Sequence, residues 1–332
     1  MVNDFALIIG LCDYPKYRNL YGSREDAADF HKWLCEPNGG DLDPKNAFLV
    51  QSYTQPSLGP VQEQIDEALD AIAALSAAGA RRFYFYFAGH GMGEDTTELA
   101  LCLPRWSDQW RGAALCMTGY ITFFVELGRF AQVACFLDCC RVREKSIGCN
   151  GPQVKNVKPG AGAGATEVFY AYATEFDNLA YEAAVNSGGP VRGHFTRALM
   201  EGLRGAAAGP SPGAGPAKLA GYVDRRTTEL ATLNSNKQKA YIPQVPRNDV
   251  AWTFGNYPAT YTVQIDISSG LTGPVSIQGP TGTTIASGLL PSTSWKQPLE
   301  PAWYVIKDLG SGREKRFRVI PQKDSEVQVE QF

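Results

Sequence analysis

The feature that most constrains this chain is a set of short, almost continuously apolar runs: Phe5–Leu11 (FALIIGL), Arg82–Ala88 (RFYFYFA) and Ala131–Leu137 (AQVACFL). A half-exposed strand alternates apolar with polar residues, whereas a run that is apolar on both parities is buried on both faces. Ala47–Tyr53 and Glu167–Ala173 read as two further strands. Between the strands lie stretches with helical spacing: Arg24–Cys35, Val61–Leu75 (VQEQIDEALDAIAAL), Thr118–Arg129 and Phe195–Leu203, with one more helix between Lys218 and Lys237. Ser23 is the expected N-cap of the first helix, and Asp26 three residues later completes a box-like pattern. Alternation of this kind predicts an α/β fold with a mostly parallel sheet covered by helices on both faces. Ligand chemistry in such sheets gathers at the carboxyl ends of strands. Gly89-His90-Gly91 and Asp138-Cys139-Cys140 each end a central strand, so they are expected side by side.

The pattern changes after about Asn256. Thr260–Ile267, Val275–Gln278, Thr283–Ala286, Trp303–Lys307, Arg316–Ile320 and Glu326–Val329 alternate with period two between Gly, Pro and Ser clusters. This predicts an antiparallel β-sandwich. With 332 residues the chain is long enough for two domains. The expected division is an α/β domain over residues 1–254 and an immunoglobulin-like accessory sandwich over 255–332. Lys158–Ala165 and Gly209–Pro216, rich in Gly, Ala and Pro, read as loops outside any core.

A net charge of −3 gives no basis for a nucleic-acid or anionic-membrane partner. Met1–Leu11 is too short to span a membrane and lacks a basic n-region, so a cytoplasmic location is expected. The eight cysteines lack paired C-x-x-C spacing. That disfavours zinc, and in this setting the thiols are expected to be reduced. Arg81-Arg82 reads as a solvating pair at a strand edge.

Three histidines narrow the search for a base. His31 lies in the first helix and His194 before an apolar one, and both read as packing or surface residues. His90 stands between two glycines at a strand tip, where backbone can turn sharply. A thiol needs a base to become a thiolate at neutral pH, and His90 is the histidine placed to serve Cys140. Cys139 and Cys140 are strand neighbours that point to opposite faces, so only one can meet His90.

F-A-G-H-G with L-D-C-C-R resembles the caspase/metacaspase superfamily, especially its bacterial members. There the base lies in G-H-G and the nucleophile is the third residue of D-x-C. Leu20–Ala27 resembles the family's L-x-G-x-x-x-D-A helix start. Ala171-Tyr172-Ala173 with Ala180-Tyr181-Glu182, Gly193–Leu199 (G-x-F-T-x-A-L) and Gln244-Val245-Pro246 resemble later family segments. The likeness covers about residues 3–250. It departs at the residues after Cys140, where Arg141-Val142-Arg143 replaces the family's H-S-G and Val142 replaces a glycine.

The resemblance implies a caspase-like α/β/α sandwich and a cysteine endopeptidase. It implies His90 as base, Cys140 as nucleophile, and the N–H groups of Gly91 and Cys140 as oxyanion donors. Asp26 and Asp138 match pocket acids that bind a basic side chain, which implies cleavage of protein substrates after Arg or Lys. The linker Arg141–Ala165, with Arg141, Arg143, Lys145, Lys155 and Lys158, is expected to be cut by the enzyme itself or by an upstream protease, or else to stay intact. Relatives often bind calcium near Glu94, Asp95, Glu98 and Asp108. These do not assemble the six to eight oxygens calcium wants, so the segment reads as solvated loop and no metal or cofactor is expected. A caspase-like scaffold without activity and a thiol hydrolase acting on a small amide remain as alternatives.

Overall fold

A computed structural model of the chain describes residues 3–52, 60–144, 148–154, 162, 164–185, 188–208, 211–246, 252–258, 261–320 and 328–332. The apolar runs become β1 (Phe5–Gly10), β2 (Ala47–Gln51) and β3 (Ala80–Ala88). Three short strands follow, β4 (Gly91–Gly93), β5 (Leu99–Cys102) and β6 (Ala114–Cys116). Then come β7 (Phe130–Asp138), β8 (Val142–Arg143) and β9 (Glu167–Tyr172). The central sheet has the order β2-β1-β3-β7-β9, with every pair parallel.

Strand parity divides the core into two layers. Leu7, Ile9, Phe83, Phe85, Phe87, Val133 and Cys135 face one side. Ala6, Ile8, Tyr84, Tyr86, Ala134 and Phe136 face the other. Helices α1 (Ser23–Cys35), α2 (Val61–Leu75), α3 (Met117–Leu127), α4 (His194–Glu201) and α5 (Pro216–Leu233) supply the covers. Phe30, Trp33 and Leu199 close the second layer, and Ile65, Leu69, Ile72 and Phe124 the first. Each such side chain, fully buried, contributes about 1.5–3 kcal/mol. The sheet and helices form the expected caspase-like α/β fold.

Some local expectations are corrected. Ser23 is the first helical residue and Gly22 the cap, with no side-chain cap bond; Asp26 is drawn away to Gly193 and Arg192. Arg82 is not a solvating residue but has no exposed surface. It shares a parity with Tyr84, so it points into the second layer. There it donates to Gln132 Oε1 at 2.8 Å and to the Tyr84 hydroxyl at 3.0 Å. It also stacks on Phe254 at 4.7 Å and Trp252 at 5.1 Å. Arg81 alone keeps the edge role, pairing with Asp4.

Gly213 and Ala214 lie in a segment expected to be loop, yet both are buried. Ala214 bridges to Phe254. Gly213 has φ +84°, and a Cβ there would stand 2.4 Å from the Gly255 carbonyl oxygen. Most of 158–165, including Lys158, falls outside the described residues.

A second sheet, β6-β5-β4-β8, was not expected, because its strands are only two to four residues long. Cys116 and Cys149 are joined by a disulfide across 33 residues. This corrects the expectation of eight reduced thiols; the six other cysteines are free. The fold brings the two within reach although their sequence spacing carries no signal.

A hairpin follows from β10 (Glu182–Ala184) and β11 (Val191–Gly193). Beyond it, β12 (Tyr261–Asp266), β13 (Val275–Gln278), β14 (Thr284–Leu289), β15 (Ser294–Leu299), β16 (Trp303–Asp308), β17 (Glu314–Arg318) and β18 (Gln328–Gln331) form two sheets. Their orders are β15-β12-β18 and β14-β13-β16-β17. One pair, β12 with β18, is parallel. β15 escaped sequence reading because it carries Pro298, which edge strands tolerate. Val263, Ile265, Val275, Ile277 and Ile306 build a separate core. Arg318 touches α5, donating to the Tyr222 hydroxyl at 3.1 Å. Tyr257 is buried in the N-terminal core and donates to Glu36 at 2.6 Å, so packing of that unit reaches past residue 254. Among the described residues no helix is long and apolar enough to cross a membrane.

Candidate active site

Register places the two motifs. Ala88 of β3 pairs with Asp138 of β7, and Met92 of β4 pairs with Val142 of β8, all in parallel. His90 lies two residues beyond the first partner and two before the second, and so does Cys140. The same sheet geometry therefore sets both at matching positions on neighbouring strand ends, where parallel sheets present ligand sites. Both line a cleft of about 590 Å³.

The glycines beside His90 serve close approach rather than a sharp turn, since neither has a positive φ. A Cβ on Gly91 would lie 2.6 Å from both Cys139 Sγ and the Cys140 carbonyl oxygen. The backbone after His90 is thus pressed against the Cys139–Cys140 segment.

His90 is caged by residues that sequence reasoning missed. The rings of Tyr14 and Tyr17 stand edge-on at 4.6 and 4.9 Å. The Tyr14 hydroxyl accepts from the His90 N–H at 3.0 Å and donates to the Cys102 carbonyl at 3.1 Å. His90 Nε2 is 2.6 Å from the Arg18 carbonyl oxygen. A carbonyl only accepts, so Nε2 carries the hydrogen and Nδ1 holds the lone pair. Burial pushes the imidazole below its ordinary pKa, so it is neutral at pH 7. The Tyr14–Arg18 loop, Y-P-K-Y-R, has no periodicity that could have announced this.

Cys140 is half-buried on the cleft, whereas Cys139 is buried in the first core layer. Cys140 Sγ accepts from the Ala180 N–H at 3.3 Å. Burial outweighs that bond and pushes the thiol pKa up. The imidazole and the thiol are therefore both neutral at rest. Among the described residues no hydrogen bond joins them. Arg141, expected in an exposed linker, is 1% exposed. Its guanidinium stacks on Tyr172 at 4.2 Å and donates to the Thr96 carbonyl at 2.8 Å. Arg143 is exposed and stacks on Phe176 at 4.9 Å. Lys145, Lys155 and Lys158 lie outside the described residues.

Asp26 and Asp138 come together at the cleft floor. The Asp26 carboxylate is already occupied: Oδ2 accepts from the Gly193 N–H at 2.8 Å, and Oδ1 pairs with Arg192, which also reaches Asp29 at 2.9 Å. Asp138 Oδ2 accepts from Thr196 N–H at 3.1 Å and Oγ at 2.6 Å. Burial pushes both carboxyls up, and for Asp26 the nearby Asp138 adds to it against Arg192. The same contacts drive the Arg192 guanidinium up. These two tendencies conflict, and the guanidinium decides: it does not yield its proton. Asp26–Arg192 is therefore an ion pair, whereas Asp138, with Thr196 as its donor and no paired cation among the described residues, is held up by burial. Glu182, Glu144 and Asp108 also line the cleft, against Arg18 as the lining cation. Glu182 accepts from the Tyr21 and Gly22 N–H groups at 3.0 and 2.8 Å. Glu182 ends the Ala180-Tyr181-Glu182 segment, whose sequence carries no signal for these contacts.

The loop after His90 holds itself together: Asp95 accepts from Thr97 and Glu98 N–H groups at 2.7 and 2.8 Å. Glu98 is turned toward Thr118. Its contacts are those of a structured loop.

The family model for caspase domains matches residues 3–251. A protein of a Desulfuromonadales bacterium, named a probable protease, is 30% identical over 222 residues, 61% of this chain. The chain spans about a quarter of that relative's length, 26%. The matched segment contains both strand-end motifs, the paired acids and all of the parallel sheet, and the chain belongs to the caspase-domain family of peptidases.

Proposed function

We propose that the chain is a cysteine endopeptidase that cleaves proteins after Arg or Lys, using His90 and Cys140. The equal register of His90 and Cys140 between two parallel strand pairs carries this reading. A substrate carbonyl enters above Cys140. Nδ1 of His90 takes the thiol proton, the sulfur adds to the carbonyl carbon, and the proton passes to the leaving amine. Water then releases the acyl group from sulfur. The N–H groups of Gly91 and Cys140 receive the oxyanion; a donor of this kind is worth about 3 kcal/mol. Arg18 acts through its carbonyl, which orients the imidazole in the tautomer the step requires.

Basic specificity is supported by the acid surplus of the cleft. Asp26 is satisfied by Arg192, so the entering cation meets Asp138, with Glu182 on the wall. A substrate guanidinium or ammonium relieves the raised pKa of Asp138, whereas a substrate Asp adds a like charge. Asp26 and Arg192 together hold the β10–β11 hairpin against α1.

Activation by a cut within 141–165 remains part of the reading, with Arg143 its exposed described candidate. The C-terminal sheets, which lack His and Cys, serve recognition or positioning. The test is kcat/KM on matched peptides ending in Arg, Lys, Asp and Leu. The proposal requires Arg and Lys to lead, and Asp138→Asn to lose that lead. A preference for Asp or Leu would overturn it.

A further inference from the structure

The Cys116–Cys149 pair has a third neighbour. Glu98 offers a carboxylate oxygen, and this atom and the two sulfurs all lie within 4.8 Å of one another. Among the described residues no other three His, Cys, Asp or Glu side chains gather so closely. We propose that, once the Cys116–Cys149 bond is reduced, Glu98, Cys116 and Cys149 bind a divalent thiophilic cation of the zinc class. The proposal stands apart from the peptidase reading.

Three observations prepare the site. First, Glu98 is already oriented: Oε1 accepts from the Leu99 N–H at 3.0 Å, and Oε2 accepts from the Thr118 hydroxyl. Hydrogen bonds behind a ligating carboxylate fix its lone pairs toward a metal. Second, Cys116 is the cap residue of α3, where the helix dipole favours a thiolate. Third, backbone bonds hold Cys149 near Cys116 whether or not the sulfurs are joined. Cys116 N–H donates to the Asn150 carbonyl at 3.0 Å, and Asn150 N–H to the Ala114 carbonyl at 2.8 Å.

Two thiols beside a carboxylate repel one another as they ionise, and a cation resolves the conflict. Two thiolates and a carboxylate are three protein ligands of a tetrahedral zinc site, with water as the fourth. Sulfurs on such an ion stand about 3.8 Å apart, as Zn–S bonds of ~2.3 Å at a tetrahedral angle require. The bonded pair reaches that separation by side-chain rotation and a small shift of Cys149. The chemistry balances. A phosphine takes oxygen from water as the disulfide gains two electrons and two protons, giving phosphine oxide and two thiols. Cation binding then releases the two thiol protons. Sequence spacing could not show the site, because its ligands come from the loop before β5, the end of β6 and the segment after β8.

The site lies at the β6 edge of the small sheet, opposite β8. β4 and β8 of that sheet begin one and two residues beyond His90 and Cys140. Disulfide and metal are thus alternative fasteners for the chain that leaves the nucleophile.

The test uses the full chain, reduced with a water-soluble phosphine, freed of it without air, and titrated with Co²⁺. One equivalent should bind with an ultraviolet sulfur-to-cobalt charge-transfer band, and Zn²⁺ should displace it. Bound metal should protect Cys116 and Cys149, but not Cys35, from iodoacetamide. The oxidised chain and Cys149→Ser should show no band. Glu98→Gln, which leaves both cysteines in place, should bind Co²⁺ about tenfold or more weakly. Absence of the band in the reduced native chain, an equal affinity in Glu98→Gln, or unfolding on reduction that Zn²⁺ does not reverse would each overturn the proposal.

Discussion

Replacing Gly91 by Ala tests whether the two motifs are pressed together as described. The added methyl would sit 2.6 Å from Cys139 Sγ and 2.6 Å from the Cys140 carbonyl oxygen. Both neighbours are held: Cys139 is packed in the core, and β4 and β8 are paired on either side. Optimal nonbonded separations run about 3.5–4.0 Å, so the backbone must part by about 1 Å. Overpacking of this kind costs about 1–3 kcal/mol of stability. A misplacement of about 1 Å at a reacting centre costs about 100-fold in rate. The expected result is a folded protein with a lowered Tm and a kcat reduced about 100-fold on an Arg peptide, with KM little changed. Thermal unfolding and steady-state kinetics measure the two effects on the same preparation. A Gly91→Ala protein with native kcat and native Tm would refute the close approach and, with it, the oxyanion role of Gly91.

Further outcomes follow from the same geometry. Asp138 has a folded pKa raised from its ordinary value to about 6. Its contribution to stability is thus full below pH 4 and lost as pH rises through about 6, so the Tm difference between the native chain and Asp138→Asn should shift against the native chain across that window. Over the same window kcat/KM for an Arg peptide should rise with pH, and Asp138→Asn should flatten that rise. A chain ending after Tyr257 should keep peptide cleavage although it loses the Arg318 contacts to α5; complete loss in a folded truncation would make the C-terminal sheets part of the catalytic unit. If the linker is cut at Arg143, the disulfide keeps the fragments together, so they should separate on a gel only after reduction; separation without reductant would deny the Cys116–Cys149 bond.

Periodicity made the frame of this protein legible. β1, β3 and β7 are apolar on both parities because helices cover both faces, and that signal needs no tertiary knowledge. The strand-end positions of His90 and Cys140 follow from the same fact. What sequence could not show is long-range contact. Arg82 looked like an edge residue because nothing local reveals that Trp252 and Phe254 return to cover it. Asp26 and Asp138 do lie together, but Arg192, far along the chain, already fills one of them. The Tyr14–Arg18 loop owes its role to where it lands, since its carbonyl and rings act on His90 without any pattern. β4, β5, β6 and β8 are too short to carry a period. Cys116 and Cys149 meet only because the small sheet brings its two ends round.

The central claim is that Cys140, activated by His90, is the nucleophile. The most direct measurement is labelling by a thiol-reactive peptidyl probe with Arg at its reactive end, read by mass spectrometry. It is run on the native chain, Cys140→Ala, Cys139→Ala and His90→Ala, each checked for folding. The account predicts one adduct, on Cys140. It should vanish in Cys140→Ala, be strongly slowed in His90→Ala and persist in Cys139→Ala. An adduct on Cys139, or labelling of Cys140 that is indifferent to His90, would contradict it.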